Sequence, residues 1–162
     1  MERTANAHVV AAAVDGLAEL QDFRDAMEPD DAPFADQLRD LFTAAVAFYA
    51  AAVPLRSLLI TDRVLADDFH DVARRTGLGP HLPILEVTAW MQRWIDAGEI
   101  HEGTDPRCAA LMVCGMAHTI GDMRVVLPRD VIAEVSCCAE EPNITLMLQA
   151  LTAAPARVPM DS

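Results

Sequence analysis

The chain has 162 residues, of which 52% are hydrophobic, and it carries 25 acidic side chains against 12 basic ones. This length suits one domain with a substantial core, and the hydrophobic content argues against a disordered chain. The net charge of −13 excludes a basic groove for a phosphate backbone. We therefore expect no direct contact between this chain alone and nucleic acid.

The segment that begins the sequence is a poor signal peptide, because Glu2 offsets Arg3 and Asp15 interrupts the apolar stretch that follows. A second apolar run, from Cys108 to Gly121, is shorter than the roughly 20 residues needed to cross a bilayer. We therefore expect a cytoplasmic protein that does not enter a membrane.

Apolar residues recur at helical spacing along the whole chain, and no segment alternates long enough to predict a strand. Helices are predicted over about 3–27, from Phe34 onwards, from Thr61 or Asp62 to Gly77, over Ile84–Ile95, from Pro106, and over Arg129–Ala154. The second of these is expected to kink or break at Pro54, and the last to divide at Pro142. The tail, 155–162, is predicted to be frayed. The fold class is therefore an all-α bundle of about six helices.

Three of these helices have predicted caps at their first turn. Asp30 or Asp31 precedes the helix from Phe34, Thr61 or Asp62 can cap the helix that follows, and Thr104 or Asp105 precedes Pro106. Short polar side chains accept hydrogen bonds from the free backbone N–H groups at a helix start, and proline suits the first helical position.

The helix that contains "CAALMVCGMAHTIG" lacks a polar face. A helix that is apolar all round needs burial partners on more than one side. The small residues Gly115, Ala117 and Gly121 would let another helix approach closely. The pattern indicates either association with a second copy or a central helix in a monomeric bundle.

The stretch "WIDAGEIHEGTDPRCAALMVCGMAH" resembles the junction in the C-terminal domain of TetR-family transcriptional regulators. There a helix ends near a "GEI" pattern, a polar turn carries Asp-Pro, and a small, apolar helix begins. The resemblance covers about residues 5–152. It departs from the family in that no segment of this chain matches the N-terminal helix-turn-helix domain, so DNA contact would require such a domain outside this sequence.

The resemblance implies that the last two helical regions, 106–125 and 129–152, form a four-helix interface in a homodimer. The residues expected there are Leu111, Met112, Cys114, Gly115, Ala117, Gly121, Ile144, Leu148 and Leu151.

The resemblance also implies that the helices between residues 34 and 97 enclose a pocket for a small lipophilic effector. The predicted ligand-binding residues are Phe48, Tyr49, Arg56, Phe69, Trp90, Met91, Trp94 and His118, and two further histidines, His70 and His81, are candidate polar anchors. Aromatic residues at helical spacing are also typical of an ordinary core, and that interpretation stays open.

Cys114, His118 and Asp122 follow each other at intervals of four and share one face of a helix. They span about 12 Å along the axis, which is too far for three ligands of one ion, although a two-ligand contribution remains an alternative. We predict no cofactor, no metal and no catalytic residue, and we expect all four cysteines to be small buried hydrophobes. The alternatives are a small helical metal-binding protein or enzyme, and an interaction module without a ligand.

Overall fold

The computed structural model describes residues 17–76, 81–134 and 139–153, and this part of the chain contains helices and no strand. The helices are α1 Ala18–Asp25, α2 Phe34–Thr61, α3 Arg63–Thr76, α4 Leu82–Asp96, α5 Pro106–Val126, α6 Arg129–Glu134 and α7 Glu140–Thr152. The predicted all-α class is confirmed. Three predictions concern residues outside the described part of the chain. They are residues 3–16 of the first helix, Gly77 as the end of the helix from Thr61 or Asp62, and the frayed tail 155–162.

Helix α5 lies against both α2 and α4, while α1 and α7 pack on α2. Its residues Val113 and Ala117 are fully buried, as are Phe42 of α2, Met91 of α4 and Ile144 of α7. Five helices therefore share one hydrophobic core, and α5 contributes to it along most of its length.

A kink or a break is predicted at Pro54; helix α2 runs for 28 residues and includes this proline, so the break does not occur. An interior proline removes one backbone hydrogen bond, which favours a break unless packing holds the helix together. Here Val46 packs into the main core before the proline, and Leu59 packs against Phe69 and Val72 of α3 after it. Packing on both sides of Pro54 thus maintains the helix.

The start of α3 confirms one predicted cap, because the Asp62 carboxylate accepts a hydrogen bond of 3.0 Å from the backbone N–H of Leu65. The cap predicted for α2 is wrong, since its N-cap residue is Pro33. Asp30 instead accepts from the Ala32 N–H at 2.6 Å and from the Gln37 side-chain amide at 2.7 Å. The carboxylate thus stabilises the turn before α2 rather than the helix end itself.

The turn between α4 and α5 has defined geometry at both ends. Gly98 has φ +81°, and the N–H groups of Gly98 and Glu99 donate to the carbonyls of Ile95 and Trp94, each at 3.0 Å. This is the Schellman ending of a helix, in which glycine takes the left-handed conformation. The next residue, Ile100, is buried in the core, which anchors the turn.

Helix α5 begins as predicted. Asp105 is its N-cap and accepts hydrogen bonds from the N–H groups of Arg107 at 2.8 Å and Cys108 at 3.4 Å, and Pro106 occupies the first helical position. The His101 N–H donates to the Leu151 carbonyl at 3.1 Å. The start of α5 is therefore tied to the end of α7.

The division of the last helical region differs from the prediction. α6 ends at Glu134 and α7 begins at Glu140, whereas Pro142 lies in the first turn of α7. A proline in a first turn costs little because the N–H groups there have no partner within the helix. The predicted division at Pro142 is therefore wrong, because α7 already begins at Glu140, after the extended backbone of Ala139. Residues 135–138 lie outside the described residues.

Helices α2 and α5 are long and apolar enough to cross a bilayer by length and composition alone. The helix around the apolar run Cys108–Gly121 is longer than the run itself, which is why α5 meets a criterion that the run does not. A core helix of a soluble protein meets the same criterion, so this finding does not assign either helix to a membrane.

Candidate functional site

One face of α5 packs very closely on α2. A Cβ atom at Gly121 would stand 2.8 Å from the backbone nitrogen of Ala50 and 3.0 Å from the carbonyl oxygen of Val46. Such distances are shorter than van der Waals contact, so only glycine permits this approach. The contact brings the side chains on either side of Gly121 against α2.

Two polar residues of this face meet a single arginine of α2. The Arg56 guanidinium donates from Nη1 to Nε2 of His118 and from Nη2 to Oδ1 of Asp122. The side chains of Arg56 and Asp122 are 32% and 34% exposed, so the ion pair lies at the edge of the core. Because Nε2 of His118 accepts from a cation, this geometry requires a neutral imidazole with its proton on Nδ1.

Tyr49 and Cys114 continue the same interface towards the core. The Tyr49 ring meets the His118 ring edge-on, with centroids 5.2 Å apart and an interplanar angle of 77°. Burial raises the pKa of the Tyr49 phenol, and the neighbouring Cys114 sulfur, to which the hydroxyl donates a hydrogen bond, raises it further. Burial also raises the pKa of the Cys114 thiol to about 11, although the Tyr49 hydrogen bond lowers it somewhat. Both groups are therefore protonated near neutral pH.

The spacing that suggested a metal site serves this contact instead. Cys114, His118 and Asp122 all face α2, where Arg56 donates to Nε2 of His118 and to one carboxylate oxygen of Asp122. Within residues 17–76, 81–134 and 139–153, no group of three or more histidine, cysteine or acidic side chains is arranged to hold a metal ion.

The eight predicted ligand-binding residues fall into separate environments. Phe48, Trp90 and Met91 are buried in the main core, and the partly buried Trp94 packs against it. Phe69 belongs to a separate cluster with Val72 of α3. His118 contacts two other predicted ligand-binding residues at the edge of the core, the Tyr49 ring and the Arg56 guanidinium. The two further candidate anchors, His70 and His81, are exposed.

The opposite face of α5 borders a shallow groove of about 320 Å³, and none of the predicted ligand-binding residues lines it. Its lining consists of Gly115, Met116, Thr119, Ile120, Met123 and Asn143. Four of the α5 residues lie at intervals of four, in the pairs 115–119 and 116–120. This spacing in the sequence could have indicated that they share one face of the helix. The last residue comes from α7, so the groove runs between the last two long helices.

The predicted dimer residues divide between the interior of the chain and the side of α5 and α7 that borders this groove, which we call the outer face. Cys114, Ala117, Gly121, Ile144 and Leu151 are buried within the chain. Their assignment to contacts with a second copy is therefore corrected, because these residues already pack within the chain's own fold. The remaining four, which are at least partly exposed, are Leu111, Met112, Gly115 and Leu148.

Sequence reasoning missed one member of the outer face. Leu146 of α7 is 58% exposed, close to the 59% of Leu111 on α5. Gly115, which is also exposed, has no atom within 4 Å of the position where a Cβ would stand. The outer face is thus apolar and open, and it differs from the closely packed inner face at Gly121.

The outer face also differs in charge from the rest of the chain. Residues 108–121 of α5 and 142–152 of α7 contain no acidic or basic side chain other than His118, although the chain has a net charge of −13. Charged side chains lie just beyond them, where Arg39 pairs with Glu141 at 3.2 Å and Arg124 with Glu140 at 2.5 Å. The apolar surface is therefore bordered by ion pairs at one end.

No protein-family model matches the chain, and no curated protein and no solved structure matches it either.

Proposed function

We propose that this chain is the dimerisation and effector-responsive domain of a TetR-like transcriptional regulator, in which α5 and α7 form the contact between two copies. The observation that carries the proposal is the uncharged, apolar outer face of these helices in a chain with a net charge of −13. Two copies of so acidic a protein repel each other, and contact through an uncharged surface brings the fewest like charges close together.

The exposed side chains of this face provide a driving force for association. Leu111 and Leu146 are each more than half exposed, and the groove between their helices is lined mainly by apolar side chains. Burying apolar surface contributes roughly 25 cal/mol per Å². A twofold axis through the face would place α5 and α7 of one copy against the same helices of the other, giving a closed dimer of four helices.

The local structure around α5 supports the resemblance on which the proposal is based. The "GEI" pattern is the Schellman ending of α4, with Gly98 in the left-handed conformation, and the Asp-Pro pair is the cap and first residue of α5. These features produce the order of helix, short turn and long apolar helix that the resemblance implies.

The effector part of the proposal centres on His118 and the two predicted ligand-binding residues that it contacts at the edge of the core, Tyr49 and Arg56. An aromatic ring beside a partly exposed guanidinium suits a small lipophilic molecule with a polar group. Since His118 and Gly115 lie on the same helix, α5, a molecule bound at His118 would act on the helix of the proposed interface. It would shift the dimer only if its affinity differed between two arrangements of that helix.

A fusion experiment tests both parts. The chain is fused to a DNA-binding head that binds its operator only as a dimer, and repression of a reporter is measured in cells. We expect repression by the wild-type fusion and its loss with Gly115→Glu, while Ala89→Glu, at an exposed position of α4, retains it. Failure of the wild-type fusion to repress would contradict dimerisation.

The same cells test the effector. We expect at least one member of a panel of small lipophilic molecules to change repression by the wild-type fusion, and Arg56→Met to reduce this response. Repression that no member changes would favour the alternative of an interaction module without a ligand.

A further inference from the structure

Arg56 connects α5 to the C-terminal part of α2. Arg56 is two residues beyond Pro54, in the part of α2 that leads to α3. We call residues 55–76 the α2–α3 arm. The helix α3 packs mainly on α2, and the small cluster of Phe69 and Val72 is separate from the main core.

Several apolar side chains of the α2–α3 arm are not buried against the rest of the protein. Its residues Leu58, Ile60 and Val64 are at least half exposed, so they contribute little burial. In contrast, Arg56 connects the arm to α5 through two acceptors at once, His118 and Asp122. Segments with few buried contacts open more readily than the core, and a single polar contact then matters more to them.

We propose that Arg56, His118 and Asp122 form a pH-sensitive clasp, in which protonation of His118 releases the α2–α3 arm from α5. The neutral imidazole offers a lone pair on Nε2, which the Arg56 guanidinium uses. The protonated imidazole has N–H donors on both nitrogens and a positive charge, so it repels the guanidinium and offers it no acceptor.

Asp122 makes the release more complete. It lies four residues after His118 on α5, a spacing at which oppositely charged side chains of a helix interact. A protonated His118 would therefore compete with Arg56 for the Asp122 carboxylate. The clasp has two states, one with Arg56 bound to both acceptors and one with His118 paired to Asp122.

The surrounding groups leave His118 as the group that changes charge. The ionisable side chains beside this contact are Tyr49 and Arg56 from α2, and Cys114 and Asp122 from α5. The raised pKa values of Tyr49 and Cys114 keep both neutral in acid. The helix α4 also packs on α5, but its ion pair and hydrogen bonds in the described part of the chain connect to α1, to Met27 and within α4 itself.

Amide hydrogen exchange of the full chain tests the clasp at about pH 7.5 and about pH 5.5, on either side of the range in which histidine titrates. After correction for intrinsic exchange rates, we expect protection of residues 57–74 to fall at least about tenfold at the lower pH, as the loss of a charge-assisted hydrogen bond predicts. Protection of α4 should change much less. Equal protection of the arm at both pH values would overturn the proposal.

Two variants and a second measurement complete the test. His118→Gln retains an acceptor but takes up no proton, so its arm should show equal protection at both pH values, whereas His81→Gln, at an exposed position, should behave as wild type. A pH response that persists in folded His118→Gln would contradict the proposal. If that variant fails to fold, NMR of the wild type decides: the Arg56 guanidinium and the His118 imidazole must shift with one common midpoint, and a guanidinium that does not shift refutes the clasp.

Discussion

Gly121 of α5 lies directly against the backbone of Ala50 in α2, and a Cβ atom at Gly121 would stand 2.8 Å from the Ala50 nitrogen. Six residues earlier, Gly115 faces open space on the outer side of the same helix. The two glycines are alike in sequence, but they have opposite environments. This difference separates the face of α5 that builds the chain's own core from the face that is available to a second copy.

Alanine substitutions at the two glycines should change stability in opposite directions. Gly121→Ala forces α2 and α5 apart, and overpacking of this kind costs about 1–3 kcal/mol. Gly115→Ala adds a methyl group in open space and improves helix propensity, which stabilises by about 0.5–1 kcal/mol. Urea unfolding followed by circular dichroism, with both variants at one low protein concentration, measures the two free energies. Destabilisation by Gly115→Ala equal to that of Gly121→Ala would contradict the assignment of faces.

The two described cysteines should differ in reactivity. Cys108 is exposed, contrary to the prediction that all four cysteines are buried, whereas Cys114 is buried and its thiol pKa is raised to about 11. Because the thiolate is the nucleophile, iodoacetamide at about pH 8 should modify Cys108 and leave Cys114 intact in the folded protein. Fragmentation of the peptide that follows Arg107 locates the label, and both cysteines should react in denaturant. Equal labelling rates in the folded state would refute the burial of Cys114.

The same thiol predicts a loss of stability in alkali. Its pKa is raised from 9.0 in the unfolded reference to about 11 in the fold, so the folded state retains the proton that the unfolded state releases. The contribution is fully present below pH 9.0 and is lost as the pH rises from there to about 11. We expect Cys114→Ala to show a shallower decline in the free energy of unfolding over this interval than wild type. An unchanged slope would contradict the prediction.

The cap of α5 should contribute measurably to stability. Asp105→Ala removes the acceptor for the N–H groups of Arg107 and Cys108, and such a loss costs about 1 kcal/mol. Asp105→Asn retains a side-chain oxygen and should cost less. Thermal unfolding of the two variants and of wild type measures the difference in stability. An Asp105→Ala variant as stable as Asp105→Asn would show that the cap does not contribute to stability.

Local sequence patterns predicted the helices and the capping at Asp62 and Asp105, because periodicity and caps involve residues within a few positions of each other. Tertiary packing could override these rules, as it does at Pro54. The apolar character of α5 indicated several packing partners, but it could not distinguish Gly121, which meets α2, from Gly115, which does not.

The candidate site was less predictable for the same reason. Arg56 and His118 are 62 residues apart, and their contact depends on the approach of α2 to α5 at Gly121. The aromatic pattern predicted that Phe48 and Trp90 lie inside, but it could not separate a pocket wall from an ordinary core. Periodicity reports which face of a helix is apolar, whereas a site also depends on which helix is opposite.

The mass of the protein in solution tests the central claim most directly. Sedimentation equilibrium of the full chain at micromolar concentration should give twice the monomer mass of 17.6 kDa. Gly115→Glu should give the monomer mass with an unchanged helical spectrum, because its side chain has room in the single chain but not against a second copy, while Ala89→Glu should remain a dimer. A wild-type mass near 17.6 kDa, or a folded Gly115→Glu variant that remains a dimer, would contradict the α5–α7 interface.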